Sequence, residues 1–161
     1  MIKVLFVCMG NICRSPAAEG IFKKLVTEAT MEEEILVDSA GTIGYHSGEL
    51  PDPRMRKQAA IYGYELDSRA RQFNPNKDFE EFDYIITMDN DNYSEIKKSD
   101  RKNLFISKIF KMADFIPDKN IKEVPDPYYG GKDDFDFVIK LLEDGTKNLL
   151  IKIKNRLDGK N

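Results

Sequence analysis

The 161-residue sequence contains no tryptophan, a single histidine and only two cysteines. Cys8 and Cys13 lie too close together in sequence to build the disulfide framework of a small secreted protein, and free thiols are typical of a reducing cytoplasm. No apolar run is long enough to cross a bilayer, and the chain begins with a strand pattern rather than a signal peptide. We therefore expect a cytoplasmic protein without a membrane segment.

Other classes of protein are disfavoured by what the sequence lacks. A net charge of −3 leaves no basic surplus, so nothing favours nucleic-acid binding. No cluster of His, Cys and Asp has the spacing of metal ligands, and we expect neither a metal nor another cofactor. The length suits one domain with its own core, and no linker composition divides it, so residues 1–161 are expected to form a single domain. A monomer is the default, with weak self-association left open.

Apolar segments of strand and helix period alternate along the chain. This alternation predicts an α/β domain of three layers, in which a four-stranded parallel sheet is flanked by helices. The expected strands are 2–7, 35–39, 82–88 and 108–112, and the expected helices are 16–28, 52–63, 90–98 and 133–157, with long loops at 41–51 and 113–132.

The segment 7–16 (VCMGNICRSP) carries the clearest chemical signal. It places Cys8 at the carboxyl end of the first strand, where open α/β sheets bind ligands, and Arg14 just before the first helix. Backbone N–H groups of such a loop and of the helix N-terminus form an anion-binding nest. A thiol in a phosphate-sized nest beside an arginine predicts phosphoryl transfer to sulfur. The expected phosphate-binding residues are Met9, Gly10, Asn11, Ile12, Cys13 and Arg14.

Each residue type in this loop has a chemical reason. The thiolate of Cys8 is the reactive form, and the loop N–H donors, the helix N-terminus and Arg14 all favour the anion. Arg14 can also grip two phosphate oxygens with its planar fork. The Ser15 hydroxyl can donate a hydrogen bond to the Cys8 sulfur, which helps when that sulfur must act as a leaving group. Gly10 is expected to supply unusual backbone angles, and Asn11 to tolerate left-handed geometry or to bond within the loop.

Two rival motifs do not fit the segment. A nucleotide-binding P-loop requires Gly-Lys-Ser/Thr, which is missing. A thioredoxin-type site requires Cys-x-x-Cys, whereas four residues separate the two cysteines here.

The sequence VCMGNICRSPAAEG resembles the signature of low-molecular-weight protein tyrosine phosphatases. Two further blocks, 37–42 (VDSAGT) and 124–130 (VPDPYYG), also match, and the resemblance extends from residue 2 to about 155. It implies a flavodoxin-like fold and the hydrolysis of phosphotyrosine in proteins through a phospho-cysteine, with inorganic phosphate as product. It further implies that Asp126 is the general acid and base, and that Ser39 supports the loop by bonding Asn11.

The resemblance also suggests how the substrate is selected. Phosphotyrosine needs a deep slot with flat walls, and Tyr45, Tyr128 and Tyr129 are the expected rim. His46, the only histidine, is expected to be exposed rather than catalytic. Ser68 stands where many family members have a histidine, which leaves any loop support from that position in doubt.

Several alternatives remain at this stage. Arsenate reductases share the loop but need a further cysteine pair, and no cysteine follows Cys13. Protein-arginine phosphatases carry a small threonine at the position of Ile12. A non-catalytic phosphoprotein-binding module would have lost catalytic residues, whereas Cys8, Arg14, Ser15 and Asp126 are all present.

Two interpretations of Cys13 remain. It either packs under the loop or traps oxidised Cys8 as a disulfide.

Overall fold

A four-stranded parallel sheet forms the centre of the computed structural model, which describes residues 1–160. Its strands are β1 (Ile2–Cys8), β2 (Ile35–Gly41), β3 (Tyr84–Thr87) and β4 (Ile109–Lys111), in the spatial order β2-β1-β3-β4. The helices are α1 (Arg14–Glu28), α2 (Pro53–Ile61), α3 (Asp78–Glu81), α4 (Asn90–Ser99) and α5 (Lys132–Leu157). The predicted α/β class and parallel four-stranded sheet are therefore confirmed. No helix within residues 1–160 is both long and apolar enough to span a bilayer.

The central strand β1 is buried on both faces. Val4 and Phe6 point to one side and Leu5 and Val7 to the other, and none of the four is exposed to solvent. Such burial explains the continuous apolar run at the start of the sequence. The ring of Phe6 meets Phe22 of α1 edge-on at a centroid distance of 5.7 Å. The first face packs against α1 and α5, and the second against α3 and α4.

The observed elements depart from the predicted ones at several boundaries. Helix α1 begins at Arg14, two residues before the expected start at Pro16. Pro16 is still tolerated there, because the first N–H groups of a helix have no partner within it. The short helix α3 was not predicted from the sequence. Its first residue, Asp78, is buried and accepts hydrogen bonds from Arg71. The expected loop 113–132 begins inside a short 3₁₀ helix at 112–115.

Helix α5 is continuous through Gly145, although glycine is unfavourable inside a helix. A Cβ atom at this position would lie 2.5 Å from the sulfur of Met112. The glycine therefore allows close packing of the helix on the segment after β4 and does not mark a break.

Asp136, near the start of α5, is held by several side chains rather than simply solvated. Its carboxylate accepts hydrogen bonds from Gln58 Nε2 at 3.0 Å and from the Tyr62 hydroxyl, and it pairs with Lys140 at 2.9 Å. The bond from Tyr62, followed by that from Lys140, lowers the pKa of Asp136 to about 2. Asp136 thus ties α2 and the residue after it to α5.

Candidate active site

The carboxyl ends of β1 and β3 frame the site. The chain turns to β2 on one side of β1 and to β3 on the other, and this switch point is where open α/β sheets bind ligands. Cys8 ends β1 and Arg14 begins α1, and both are almost completely buried, with 3% and 2% exposure. Cys8 Sγ lies 3.1 Å from Ser15 Oγ, within hydrogen-bond distance.

Asn11 organises the loop between β1 and α1. It adopts a left-handed backbone with φ of 57°, as expected for an asparagine in a tight anion-binding loop. Its amide nitrogen donates to Ser15 Oγ at 2.8 Å and to Ser39 Oγ at 2.9 Å, and its Oδ1 accepts from the backbone N–H of Arg71 at 3.0 Å. One side chain therefore joins the loop to β2 and to the segment before α3.

Gly10 does not play the part that the sequence suggested. Its φ lies outside the left-handed region, which falls to Asn11 instead. A Cβ atom on Gly10 would lie 3.1 Å from Cδ2 of His46. The need for glycine therefore comes from the close approach of the 41–51 loop.

A buried carboxylate supports the loop from below. Ser39 Oγ donates to Glu19 Oε2 at 2.5 Å, and Lys23 Nζ donates to Glu19 Oε1 at 2.6 Å. Glu19 is only 3% exposed. We did not predict this residue, although a signal was present: Glu19 lies three residues before Phe22 on the buried face of α1. Within residues 1–160 this network does not include the Ser68 side chain.

Asp89 fixes the orientation of Arg14 and is a second residue that sequence reasoning missed. Arg14 Nη1 donates to Asp89 Oδ2 at 2.6 Å and to the carbonyl of Val124 at 3.0 Å. Burial alone would lower the pKa of Arg14, but the negative charges of Cys8, Asp89 and Asp126 outweigh it and raise the pKa. Both N–H groups of Nη1 are thus engaged, which leaves Nε and Nη2 for the two oxygens of a ligand.

Asp126 reaches the site from the long loop before α5. The backbone N–H of Val124 donates to the carbonyl of Met88, just after β3, at 2.8 Å and so fixes the loop at the sheet edge. The Asp126 side chain is 44% exposed, and its Oδ2 lies 3.7 Å from Arg14 Nη2. Its Oδ1 accepts from the backbone N–H of Tyr128 at 3.1 Å. A carboxylate therefore stands at the mouth of the site, beside the arginine.

A cavity of about 290 Å³ opens above the loop, with Cys8 and Arg14 among its lining residues. Tyr45, Tyr128 and Tyr129 also line it, as the sequence suggested for a rim. Tyr45 and Tyr129 are 84% and 94% exposed, and the rings of Tyr128 and Tyr129 meet edge-on at 5.0 Å. The cavity thus combines a buried polar floor with exposed aromatic walls. Met9, Ile12, Cys13 and His46 are also among its lining residues.

His46 is more buried than expected. Its side chain is 21% exposed, packs edge-on against Tyr45 and bonds Glu49 Oε2 at 2.5 Å through Nδ1. It therefore belongs to the cavity wall rather than to the open surface.

Cys13 is a free, buried thiol that faces the same cavity. Burial raises the pKa of the Cys13 thiol, and the nearby charges of Asp52, Cys8 and Asp126 raise it further. Cys13 therefore keeps its proton at neutral pH and is unsuited to be the attacking thiolate. Within residues 1–160, no three His, Cys, Asp or Glu side chains converge as metal ligands would.

Comparison with known proteins links this site to one family. The sequence pattern of the family described as "Low molecular weight phosphotyrosine protein phosphatase" matches residues 3–159. A human protein of that name is 43% identical over 136 residues, which cover 84% of this chain and 85% of the human one. A crystal structure of a protein tyrosine phosphatase from Entamoeba histolytica, with Hepes in the active site, has a TM-score of 0.90 at 48% identity, covering 96% of this chain and 98% of that one. A Drosophila arginine phosphatase aligns with a TM-score of 0.88 at 31% identity, covering 95% and 98% of the two chains.

Proposed function

Because the chain belongs to the low molecular weight phosphotyrosine protein phosphatases, a family of hydrolases, we propose that it hydrolyses phosphotyrosine in proteins with Cys8 as the nucleophile. One observation carries the proposal: the buried sulfur of Cys8 lies on the cavity floor, which Arg14 also lines. The same sulfur is within hydrogen-bond distance of the Ser15 hydroxyl. The family implies phosphoprotein substrates, and the roles of the individual residues below are our own assignments.

In the first step, the Cys8 thiolate attacks phosphorus in line with the bond to the phenolic oxygen. The P–O bond breaks, Asp126 gives its proton to the departing oxygen, and a phospho-cysteine forms. The free Nε and Nη2 of Arg14 and the N–H groups of loop 9–14 stabilise the equatorial oxygens of the transition state. Asp126 suits the acid role because its carboxylate stands at the mouth, where the leaving group departs.

In the second step, a water molecule attacks the phospho-cysteine. Asp126, now ionised, takes a proton from that water, and the P–S bond breaks to release inorganic phosphate. The departing sulfur regains its negative charge, and the Ser15 hydroxyl can donate to it across the observed 3.1 Å. Ser15 is itself held by Asn11, so its hydroxyl is preorganised for this step.

The shape of the cavity favours an aromatic phosphoester. The nucleophile lies at the floor, and the walls above it are the rings of Tyr45, Tyr128 and Tyr129. A phenyl ring can pass between aromatic walls with its phosphate at the floor, whereas the side chain of phosphoserine is too short to span the same depth. We infer a monomer that acts on phosphotyrosine-containing proteins, and the free thiols Cys8 and Cys13 suit a reducing cytoplasm.

Steady-state hydrolysis of phosphotyrosine, phosphoserine and phosphoarginine peptides, in the presence of chelator, tests the proposal. We expect turnover that is selective for phosphotyrosine in the wild type and no turnover in Cys8→Ser, with phosphate still bound by the variant. Selective hydrolysis of phosphoarginine would overturn the substrate class and the weight given to Ile12, which lines the cavity as a bulky, buried side chain.

The acid assignment needs a separate measurement. Asp126→Ala is expected to slow cleavage most for esters with a poor leaving group, because these need the proton most. Wild-type rates of Asp126→Ala on an alkyl-like phosphoester would refute the role of Asp126.

A further inference from the structure

A second cavity, of about 280 Å³, lies beside the catalytic one, between α2 and the start of α5. We call it the basic groove. Its lining includes three cationic side chains and no carboxylate, although the whole chain has a net charge of −3. Its walls include Arg54, Lys57, Ile61, Lys132 and Phe135, and residues 130–131 also line it.

Arg54 and Tyr128 form the partition between the two cavities. The guanidinium of Arg54 lies 5.1 Å from the ring centroid of Tyr128 and 4.9 Å from that of Phe135. Its Nε and Nη2 donate to the two carboxylate oxygens of Asp52 at 3.1 and 2.8 Å. Arg54 is therefore fixed in place with its charge matched, while Tyr128 presents its ring to the catalytic cavity.

The remaining two cations are available to a ligand. Lys57 and Lys132 are exposed, and neither lies within 4.0 Å of a carboxylate oxygen in residues 1–160. Nearby carboxylates are already engaged: Asp134 accepts the backbone N–H of Gly131 at 2.8 Å, and Asp136 binds Tyr62 and Lys140. The groove thus presents two lysine ammonium groups that have no carboxylate partner within residues 1–160.

The groove also offers apolar surface. Ile61 is 62% exposed, and the buried ring of Phe135 forms part of the wall. An occupant that matches both features carries a carboxylate next to an apolar side chain. Such a pair is found in a peptide segment and not in an isolated anion.

We propose that the basic groove binds the part of the phosphoprotein substrate that flanks the phosphotyrosine and selects a carboxylate beside an apolar residue. This inference rests on the proposed function. Tyr128 and Gly131 line the two cavities and are three peptide units apart, so the chain joining them spans at most roughly 11 Å. An extended peptide covers this distance in about three residues. The selected pair therefore lies within about three residues of the phosphotyrosine.

The test uses matched pairs of phosphotyrosine peptides. Within a pair, one peptide carries Glu-Leu and the other Gln-Leu, three residues from the phosphotyrosine. One pair has this dipeptide on the N-terminal side of the phosphotyrosine, and a second pair has it on the C-terminal side. In one of the two pairs, the wild type is expected to show a kcat/KM about three- to tenfold higher for the Glu peptide than for the Gln peptide. This is the size of effect that contacts with two exposed lysines would give, and it should shrink as the salt concentration rises. In Lys57→Gln/Lys132→Gln the preference should disappear, while turnover of free phosphotyrosine, which cannot reach the groove, stays unchanged.

A matched variant controls for net charge. Lys102→Gln/Lys147→Gln removes the same two charges from exposed lysines that do not line either cavity, and it should keep the preference. Equal kcat/KM for the Glu and Gln peptides of both pairs in the wild type would overturn the groove assignment. So would an equal loss of the preference in the two double variants. Concentration-dependent self-association of the wild type that Lys57→Gln/Lys132→Gln abolishes would assign the groove to a second copy of the chain and also overturn it.

The two proposals fail in different ways. Absence of turnover on free phosphotyrosine and on every peptide would refute the proposed function, and the groove assignment with it. Turnover of free phosphotyrosine without any effect of the flanking Glu would refute the groove alone.

Discussion

Replacement of Asp89 by asparagine should impair catalysis while leaving the fold intact. Asp89 has two roles: its Oδ2 accepts from Arg14 Nη1 at 2.6 Å, and its Oδ1 caps α4 by accepting from Asn92 at 2.7 Å. Asparagine is as good a helix cap as aspartate, so Asp89→Asn keeps the cap through its Oδ1. Its amide nitrogen then faces Arg14, so the arginine loses both the negative charge and the hydrogen-bond acceptor. The arginine then retains the carbonyl of Val124 as its one fixed partner on Nη1.

The size of the effect follows from this contact. A hydrogen bond between charged groups contributes about 1.5–3 kcal/mol. If that free energy serves to align Arg14 with the transition state, kcat/KM falls by about 10- to 150-fold, since each 1.36 kcal/mol is a factor of ten in rate. The bond to Val124 remains, so we expect the lower part of this range.

The assay is kcat/KM on phosphotyrosine, with thermal unfolding measured in parallel. Asp91→Asn is the matched control, because it removes the same charge from an exposed position in the first turn of α4. Asp89→Ala should add a loss of about 1 kcal/mol in stability from the missing cap. An activity of Asp89→Asn within twofold of Asp91→Asn would refute the idea that Asp89 positions Arg14.

Three further outcomes can be measured. Asn11→Gly keeps the left-handed backbone but loses the side-chain bonds, so it should lower kcat/KM, and Asn11→Ala should also unfold at a lower temperature because its φ is strained; equal stability of the two would contradict this. The pKa of Asp136 is lowered to about 2, so its contribution to stability is complete above about pH 4 and is lost as the pH falls towards 2; urea unfolding of Asp136→Asn should show a flatter pH dependence in that interval. Gly145→Ala should lower the free energy of unfolding by about 1 kcal/mol, because contact with Met112 outweighs the gain in helix propensity; a rise in stability would show that Met112 moves aside.

The sequence was sufficient to predict the centre of the fold. A continuous apolar run predicts a strand that is buried on both faces, as β1 is. The helical spacing of apolar residues such as Ile21 and Phe22 predicts the buried face of α1. The loop between them could be recognised because Cys8 and Arg14 come from one short segment. The preceding strand, the Gly-Asn within the loop and the Ser-Pro at the start of the helix together favour a phosphate-binding loop over a chance spacing of cysteine and arginine.

The sequence could not reveal partners that meet across the fold. Asp89 and Arg14 are 75 residues apart, and Asp89 reads equally well as an ordinary helix cap, which it also is. Glu19 was overlooked because a single carboxylate in a helix is usually solvated. Its spacing from Phe22 places it on the buried face of α1, but its partner Ser39 on β2 could not be identified from the sequence. The need for Gly10 depends on His46, whose loop cannot be placed from sequence.

The position of β1 in the sheet gives the two halves of the site different mobilities. Cys8 ends a strand that is paired on both sides, so it can move away only if pairing with β2 or β3 opens. Asp126 is carried by an exposed loop that is tied to the sheet edge through Val124. In hydrogen exchange, the amides of β1 should therefore be among the slowest, and those around Asp126 should exchange early. Local opening can thus release a product past the acid while the residues that hold the phosphate stay in place.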